Sequence, residues 1–300
     1  MKEEAQTMRG KISKKRDWKT YNKQLIKRGE FYINPKFLYT WNEEIKEMNI
    51  GKEGNPYFYP NSMIEFLGIL HVKSFDYRAL EGILQALSQK FNNFPVISYS
   101  QICRRINSMD INFNIEGSNL VVGVDGSGIK ISNRGDWMRH KHKVMKGWVK
   151  VVVLGDKEGN IVDVRVGNEK LNEKKSSRGM VKKNKKKIKK LLGDALHDCK
   201  ETFNLCKKLG IEPVIKIREN SSGKSDGSFL RKKHVLEYKK LGYKKWAKEK
   251  GYGIRWLCTE GIFSAVKRIF GEFVRAIKKK NIYHEAKLKF WAYNQIKNLE

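Results

Sequence analysis

The chain has 300 residues and a mass of 35.0 kDa, and 40% of its residues are hydrophobic, enough for one large core or two ordinary ones, which excludes a wholly disordered polypeptide. Lysine and arginine number 63 against 32 acidic residues, a formal net charge of +31, and such an excess calls for a polyanionic partner rather than a small acidic substrate. The opening stretch MKEEAQTMRGKISKKR has no apolar segment of signal-peptide type and no run approaches a membrane span, so a cytoplasmic protein with no membrane partner is expected.

In chain order, Lys11, Lys14, Lys15, Arg16 and Lys19 precede any apolar periodicity, which predicts a flexible or marginally helical basic arm over residues 1–30. Eight aromatics follow, Phe31, Tyr32, Phe37, Tyr39, Trp41, Tyr57, Phe58 and Tyr59, interrupted by a turn signal from Gly51 to Pro56. They read as rings packed on the next helices, with base stacking as the other reading. Met63, Phe66, Leu67 and Leu70 recur at helical steps, as do Leu80, Ile83, Leu84 and Leu87 behind the cap candidate Asp76. From the cap candidate Ser98 a third helix turns Ile102 and Ile106 inward and Gln101, Arg104 and Arg105 outward. The three helices resemble a helix-turn-helix module, and any small bundle with a solvated basic face has the same pattern.

At Leu120 the pattern changes to a β-branched run that ends on Asp125, with Gly126-Ser127-Gly128 read as a turn and Ile129–Ser132 as a hairpin partner. Strands over 148–154 and 161–166 extend the meander. A helix is expected over 181–192, with seven lysines between Lys182 and Lys190 that suit phosphate contact, and Asp194 follows it as a second strand-end carboxylate. A helix over 200–209 and a strand over 212–217 restore an α/β alternation. The polar, basic stretch 219–250 reads as an insertion, and 255–280 as one long amphipathic helix with Phe263, Val266, Phe270, Phe273 and Ile277 as its stripe. On that helix Glu260, Ser264 and Lys267 fall on one face.

Three carboxylates on separate elements, Asp125, Asp194 and Glu260, are the donor set that two divalent cations about 3.5–4 Å apart require for phosphodiester chemistry. The other reading of each is an ordinary exposed or capping acid. Cys103, Cys199, Cys206 and Cys258 form no C-x-x-C pair, which fits a reducing compartment and no structural zinc. His140 and His142, flanked by basic residues, read as phosphate contacts.

The words around these acids resemble the DDE transposases of prokaryotic insertion sequences, nearest the insertion-sequence four/five type. They are Val124-Asp125-Gly126-Ser127-Gly128-Ile129-Lys130, then Asn133-Arg134-Gly135-Asp136-Trp137, then Gly193-Asp194-Ala195-Leu196-His197-Asp198, then Tyr252-Gly253-Ile254-Arg255-Trp256 with Glu260 through Lys267 to Glu272. The resemblance implies an α/β (α+β) fold, an RNase H-like mixed sheet flanked by helices and preceded by a small helical domain, divided as an arm over 1–30, a DNA-binding domain over 31–112 and a catalytic domain over 118–300 with a basic insertion near 219–250. Asp125, Asp194 and Glu260 match the family's metal-binding and catalytic acids, and Tyr252, Arg255 and Lys267 its Y-R-E-K signature, whose basic members contact DNA beside the scissile phosphate. The signature has three residues between arginine and glutamate where Arg255 and Glu260 enclose four; the six between Glu260 and Lys267 match. Asp198 reads as a helix cap and Asp136 as a turn acid. The resemblance further implies Mg²⁺, with Mn²⁺ as a substitute, double-stranded DNA of terminal inverted repeats and target as partner, a homodimer in a synaptic complex, and nucleoid association. A DNA-binding relic without catalysis, or an RNase H-like nuclease or resolvase, fits the same residues.

Overall fold

The computed structural model describes residues 17–32, 34–92, 94–113, 115–132 and 147–299. Lys11, Lys14, Lys15, Arg16, the block from Asn133 to Trp137, His140 and His142 lie outside them. The chain divides into two compact units, residues 1–66 with 295–300, and residues 67–294.

In the first unit α1 (Trp18–Phe31) starts at Asp17, whose carboxylate accepts from the amides of Lys19 and Thr20 at 3.0 and 3.3 Å. The arm is therefore helical from Trp18, although no residue of α1 is buried. After α2 (Trp41–Asn49), the chain enters α3 (Asn61–Lys73), where the Glu44 carboxylate accepts from the Ser62 amide at 2.9 Å. The aromatics of this region divide: the Phe37 ring is buried 5.5 Å from Phe66, Trp41 meets Tyr59 edge-on, and Tyr39 and Phe58 stay exposed.

The second unit begins with the end of α3, then α4 (Tyr77–Lys90) and α5 (Tyr99–Ser108). Asp76 caps α4 by accepting from the Ala79 amide at 2.8 Å. Ser98 occupies the corresponding position of α5 without a capping bond; Glu81 of α4 takes the Tyr99 amide instead, at 2.8 Å.

A six-stranded mixed sheet follows: β1 (Leu120–Ile131), β2 (Trp148–Asp156), β3 (Ile161–Gly167), β4 (Ile188–Gly193), β5 (Glu212–Ile215) and β6 (Phe273–Val274). Its order is β3-β2-β1-β4-β5, with β6 on the far end of β1; β2 alone runs antiparallel to its neighbours β1 and β3, while β4, β5 and β6 are parallel to β1. Helices α6 (Glu173–Lys183), α7 (Lys200–Leu209), α8 (Phe229–Glu249), α9 (Arg255–Cys258), α10 (Glu260–Phe270) and α11 (Lys279–Lys297) flank it, the α/β architecture expected of an RNase H-like fold.

Four local expectations are overturned. Gly126-Ser127-Gly128 is no turn, because β1 runs straight through it, paired with Val152, Val151 and Lys150 of β2. These glycines answer to space: a Cβ on Gly126 would collide with the Glu173 carboxylate, and one on Gly128 would lie 3.3 Å from the Trp148 ring. The expected helix over 181–192 is the end of α6, a turn, and then β4. There, pairing of Ile188 with β1 and of Leu191 and Leu192 between β1 and β5 outweighs the helical preference of the lysines.

Residues 219–250 are not a loop insertion, since α8 buries Val235 and Trp246. Val235 belongs to the cluster that holds Val122 and Phe203, and Trp246 to the one that holds Leu192 and Val214, where its ring meets Tyr252. Between them Gly242, at φ 71° and ψ 161°, breaks the helix so that each half meets its own cluster. The long helix over 255–280 is interrupted at Thr259 and ends at Gly271 (φ +76°); Phe273 and Val274 then pair with Lys130 and Ile131, and Ile277 is left exposed.

Candidate active site beside the end of strand β4

Successive side chains of a strand alternate in direction, so Gly123, Asp125 and Ser127 share one face of β1. Helix α9 lies on that face because Gly123 leaves it room: a Cβ there would stand 2.6 Å from Cys258 Cβ. In the parallel register Val124 pairs with Gly193, the last residue of β4. Asp125 and Asp194 are thus the next residues of neighbouring strands, whose backbones run about 4.8 Å apart. Asp194 then caps a short 3₁₀ turn, Ala195–His197, by accepting from the Leu196 amide at 3.0 Å.

The third acid reaches the pair through arginine. Arg255 Nη1 lies 3.5 Å from Asp125 Oδ2 and Nη2 donates to Glu260 Oε1 at 2.5 Å. Between them Thr259, with φ −135° and ψ −80°, separates α9 from α10. Its buried hydroxyl is 2.9 Å from the Arg255 carbonyl and 3.0 Å from Glu260 Oε2. Lys267, two turns further along α10, donates to Ser127 Oγ at 3.2 Å, on the strand face that carries Asp125. Tyr252 is buried and its hydroxyl donates to the Gly193 carbonyl at 3.1 Å, which pins the backbone just ahead of Asp194; burial holds its phenol well above the usual range. Arg104 and Arg105 are carried by α5, Arg104 exposed and Arg105 half-buried.

Electrostatically, burial dominates at Asp125. Burial raises the Asp125 carboxyl to about 6, with Asp194 and Glu173 adding to the rise and Arg255 opposing it. Four more residues complete the surroundings, Glu173 and Lys150 from outside the acidic motifs and His197 and Ser127 from within them. Glu173, buried at the start of α6 against Gly126, is paired with Lys150 at 2.8 Å. His197 is 1% exposed, with Nε2 at 3.8 Å from Glu173 Oε1 and 4.0 Å from Asp194 Oδ1; burial holds its pKa below that of a free imidazole. Ser127 is the fourth. His197, three residues after Asp194, and Ser127, two after Asp125, lie within the motifs that the sequence displays, whereas Glu173 and Lys150 lie in none.

Two family models, each described as Transposase DDE domain, match residues 26–134 and residues 116–295, the second over more than half of the chain. The chain belongs to the DDE transposase family. In this transposase Asp198 is not the cap of α7, where Cys199 holds that position. It is a buried structural acid, accepting from Arg231 Nε at 2.7 Å and Nη2 at 3.1 Å, from the Arg218 amide at 3.2 Å and from the Ser221 hydroxyl. The acids at the site are hard oxygen donors whose negative charge exceeds the single guanidinium between them, which fits a divalent cation in chemistry and charge. Among the described residues no three histidine, cysteine or acidic side chains already enclose one ion, and Glu260 is turned onto Arg255.

Proposed function

We propose that this transposase binds the ends of an insertion sequence and carries out metal-dependent DNA strand cleavage and strand transfer. The observation that carries the reading is the adjacency of Asp125 and Asp194 on parallel strands, with Glu260 joined to Asp125 through Arg255. Asp125, Asp194 and Glu260 would hold the divalent cation, Mg²⁺ or Mn²⁺ in its place, which when bound polarises a phosphate oxygen and activates the attacking oxygen. Water cleaves the strand and frees a 3′-hydroxyl, and that hydroxyl attacks a target phosphodiester in line, one P–O bond forming as another breaks.

The chain's own groups position the DNA. Lys267 meets a phosphate oxygen as a point charge beside Ser127. The planar fork of Arg255 suits phosphate as well as carboxylate, so it would hold the backbone of the strand beside Asp125 and Glu260. Tyr252 acts through the Gly193 carbonyl and keeps Asp194 in register. Arg104, Arg105 and the rest of a DNA-binding domain over 31–112 hold the duplex, while residues 118–300 form the catalytic domain. The working form is a homodimer in a synaptic complex, cytoplasmic and associated with the nucleoid.

Short inverted repeats in the DNA flanking the reading frame define the substrate for a test. The full chain with Mg²⁺ is expected to cut a duplex carrying those repeats, and Asp125→Ala and Glu260→Ala are expected to bind it equally in EDTA and to cut it below detection. Cleavage at the wild-type rate by either variant overturns the assignment.

A further inference from the structure

Behind the two aspartates, on the face of the sheet opposite α9, runs a line of polar side chains with one unsatisfied member. Two glycines clear its path. Neither Gly126 nor Gly193 has a positive φ, so backbone conformation requires a glycine at neither position. Space requires both: a Cβ on Gly126 would collide with Glu173 and lie 3.2 Å from Lys150 Cε, and one on Gly193 would stand 2.8 Å from Ile215 Cδ1 and 3.1 Å from His197 Cβ. The line leads from Lys150 on β2, through Glu173 at the start of α6, to His197 behind the end of β4.

Lys150 occupies one oxygen of Glu173, at 2.8 Å. The other, Oε1, faces His197 Nε2 at 3.8 Å, and Asp194 Oδ1 faces the same nitrogen at 4.0 Å. Each gap is about 1 Å too long for a hydrogen bond. His197 is thus buried with an Nε2 that has no hydrogen-bond partner among the described residues. Between two carboxylates that nitrogen carries the proton of the neutral ring, since a bare lone pair there would meet only other lone pairs. A buried donor without an acceptor is costly, and a short movement of one carboxylate removes the cost. Glu173 is held by Lys150, whereas the Asp194 side chain is 38% exposed and has room to move.

We infer that His197 is a positioning residue for Asp194: its Nε2–H, braced by Glu173 and Lys150, joins the Leu196 amide on Asp194 Oδ1 and leaves Oδ2 to face a divalent cation. The inference rests on Asp194 being one of the acids that hold that cation. Supporting partners of this kind fix the orientation of a ligand, so their loss weakens the metal rather than the fold.

The test titrates the full chain with Mn²⁺ alone and follows the free-ion signal by electron paramagnetic resonance. His197→Leu is expected to weaken Mn²⁺ roughly 10- to 100-fold, and His197→Gln, whose amide N–H reaches to the same place, to recover most of the loss. In EDTA, His197→Leu should melt no lower than wild type, because it removes a buried donor that has no acceptor. Cutting of the repeat-bearing duplex by His197→Leu should need correspondingly more Mg²⁺, with a rate at saturating Mg²⁺ close to that of wild type. Equal Mn²⁺ affinity in wild type and His197→Leu overturns the inference. So does an affinity in His197→Gln as low as in His197→Leu, which would leave the ring a mere filler of space. Asp194→Ala separates the two readings: if it binds Mn²⁺ as wild type does, Asp194 is no metal ligand and the inference falls with that assignment, whereas weakening by Asp194→Ala alone overturns only the role of His197.

Discussion

Around Asp125, burial and charge pull in opposite directions. The carboxylate accepts from the Gly126 amide at 2.8 Å and has a guanidinium at 3.5 Å, yet burial keeps its pKa near 6. The protonated form is thus the favoured one in the fold: its stabilisation is fully present below the ordinary carboxylate pKa, near 4, and is lost as pH rises through about 6. Without metal, Asp125→Asn should therefore raise stability by about 1–3 kcal/mol at pH 7.5 and by little at pH 4, since the amide oxygen retains the Gly126 bond. Thermal melts in EDTA at the two pH values measure this, and equal gains at both would show that the carboxylate is not under charge strain. The sequence pointed to the three acids and to Lys267. It did not point to Glu173 or Lys150, which lie in no acidic motif and meet the site only because Gly126 and β2 bring them there.

Among the elements, α3, α4 and α5, the β2–β3 meander and α7 were legible because their apolar residues keep one period from end to end, whereas α1 and α2 were not read as ordered helices. Elements that mix signals were not. Lys182 to Lys190 reads as helix on composition, but β4 is shielded on both sides by strands and needs only Ile188, Leu191 and Leu192 to face inward. Helix α8 looks polar throughout, and its few buried residues are far apart in sequence. Its start is anchored by Arg231 on Asp198, whose side chain is fully buried, 0% exposed. Arg231→Ala leaves that carboxylate with only the Ser221 hydroxyl and the Arg218 amide, and should cost about 3–5 kcal/mol. Urea denaturation checks this, and the added change Asp198→Asn should recover part of the loss, because it removes the unpaired charge.

Over the whole molecule, a net charge of +31 makes any DNA complex depend on salt through the release of counterions. If 6–10 phosphates are contacted, affinity for a random duplex should fall about 10³- to 10⁵-fold between 50 and 200 mM salt, with a log–log slope of roughly −5 to −9. Fluorescence anisotropy gives the slope directly, and a slope near zero would deny a DNA-bound surface of that size. Charge, the family-like words around three acids and the positions of α3, α4, α5 and α7 are properties of residue order, and the sequence alone determined them. Their meeting was decided by the tertiary structure. Strand register sets Asp125 beside Asp194, the break at Thr259 lets Arg255 span Asp125 and Glu260, and small residues at 123, 126 and 261 admit α9, Glu173 and the Trp256 ring. The physical reason is that each of these contacts joins residues distant in the chain, or hinges on space that a missing side chain leaves, and neither property has a period or composition that a sequence displays.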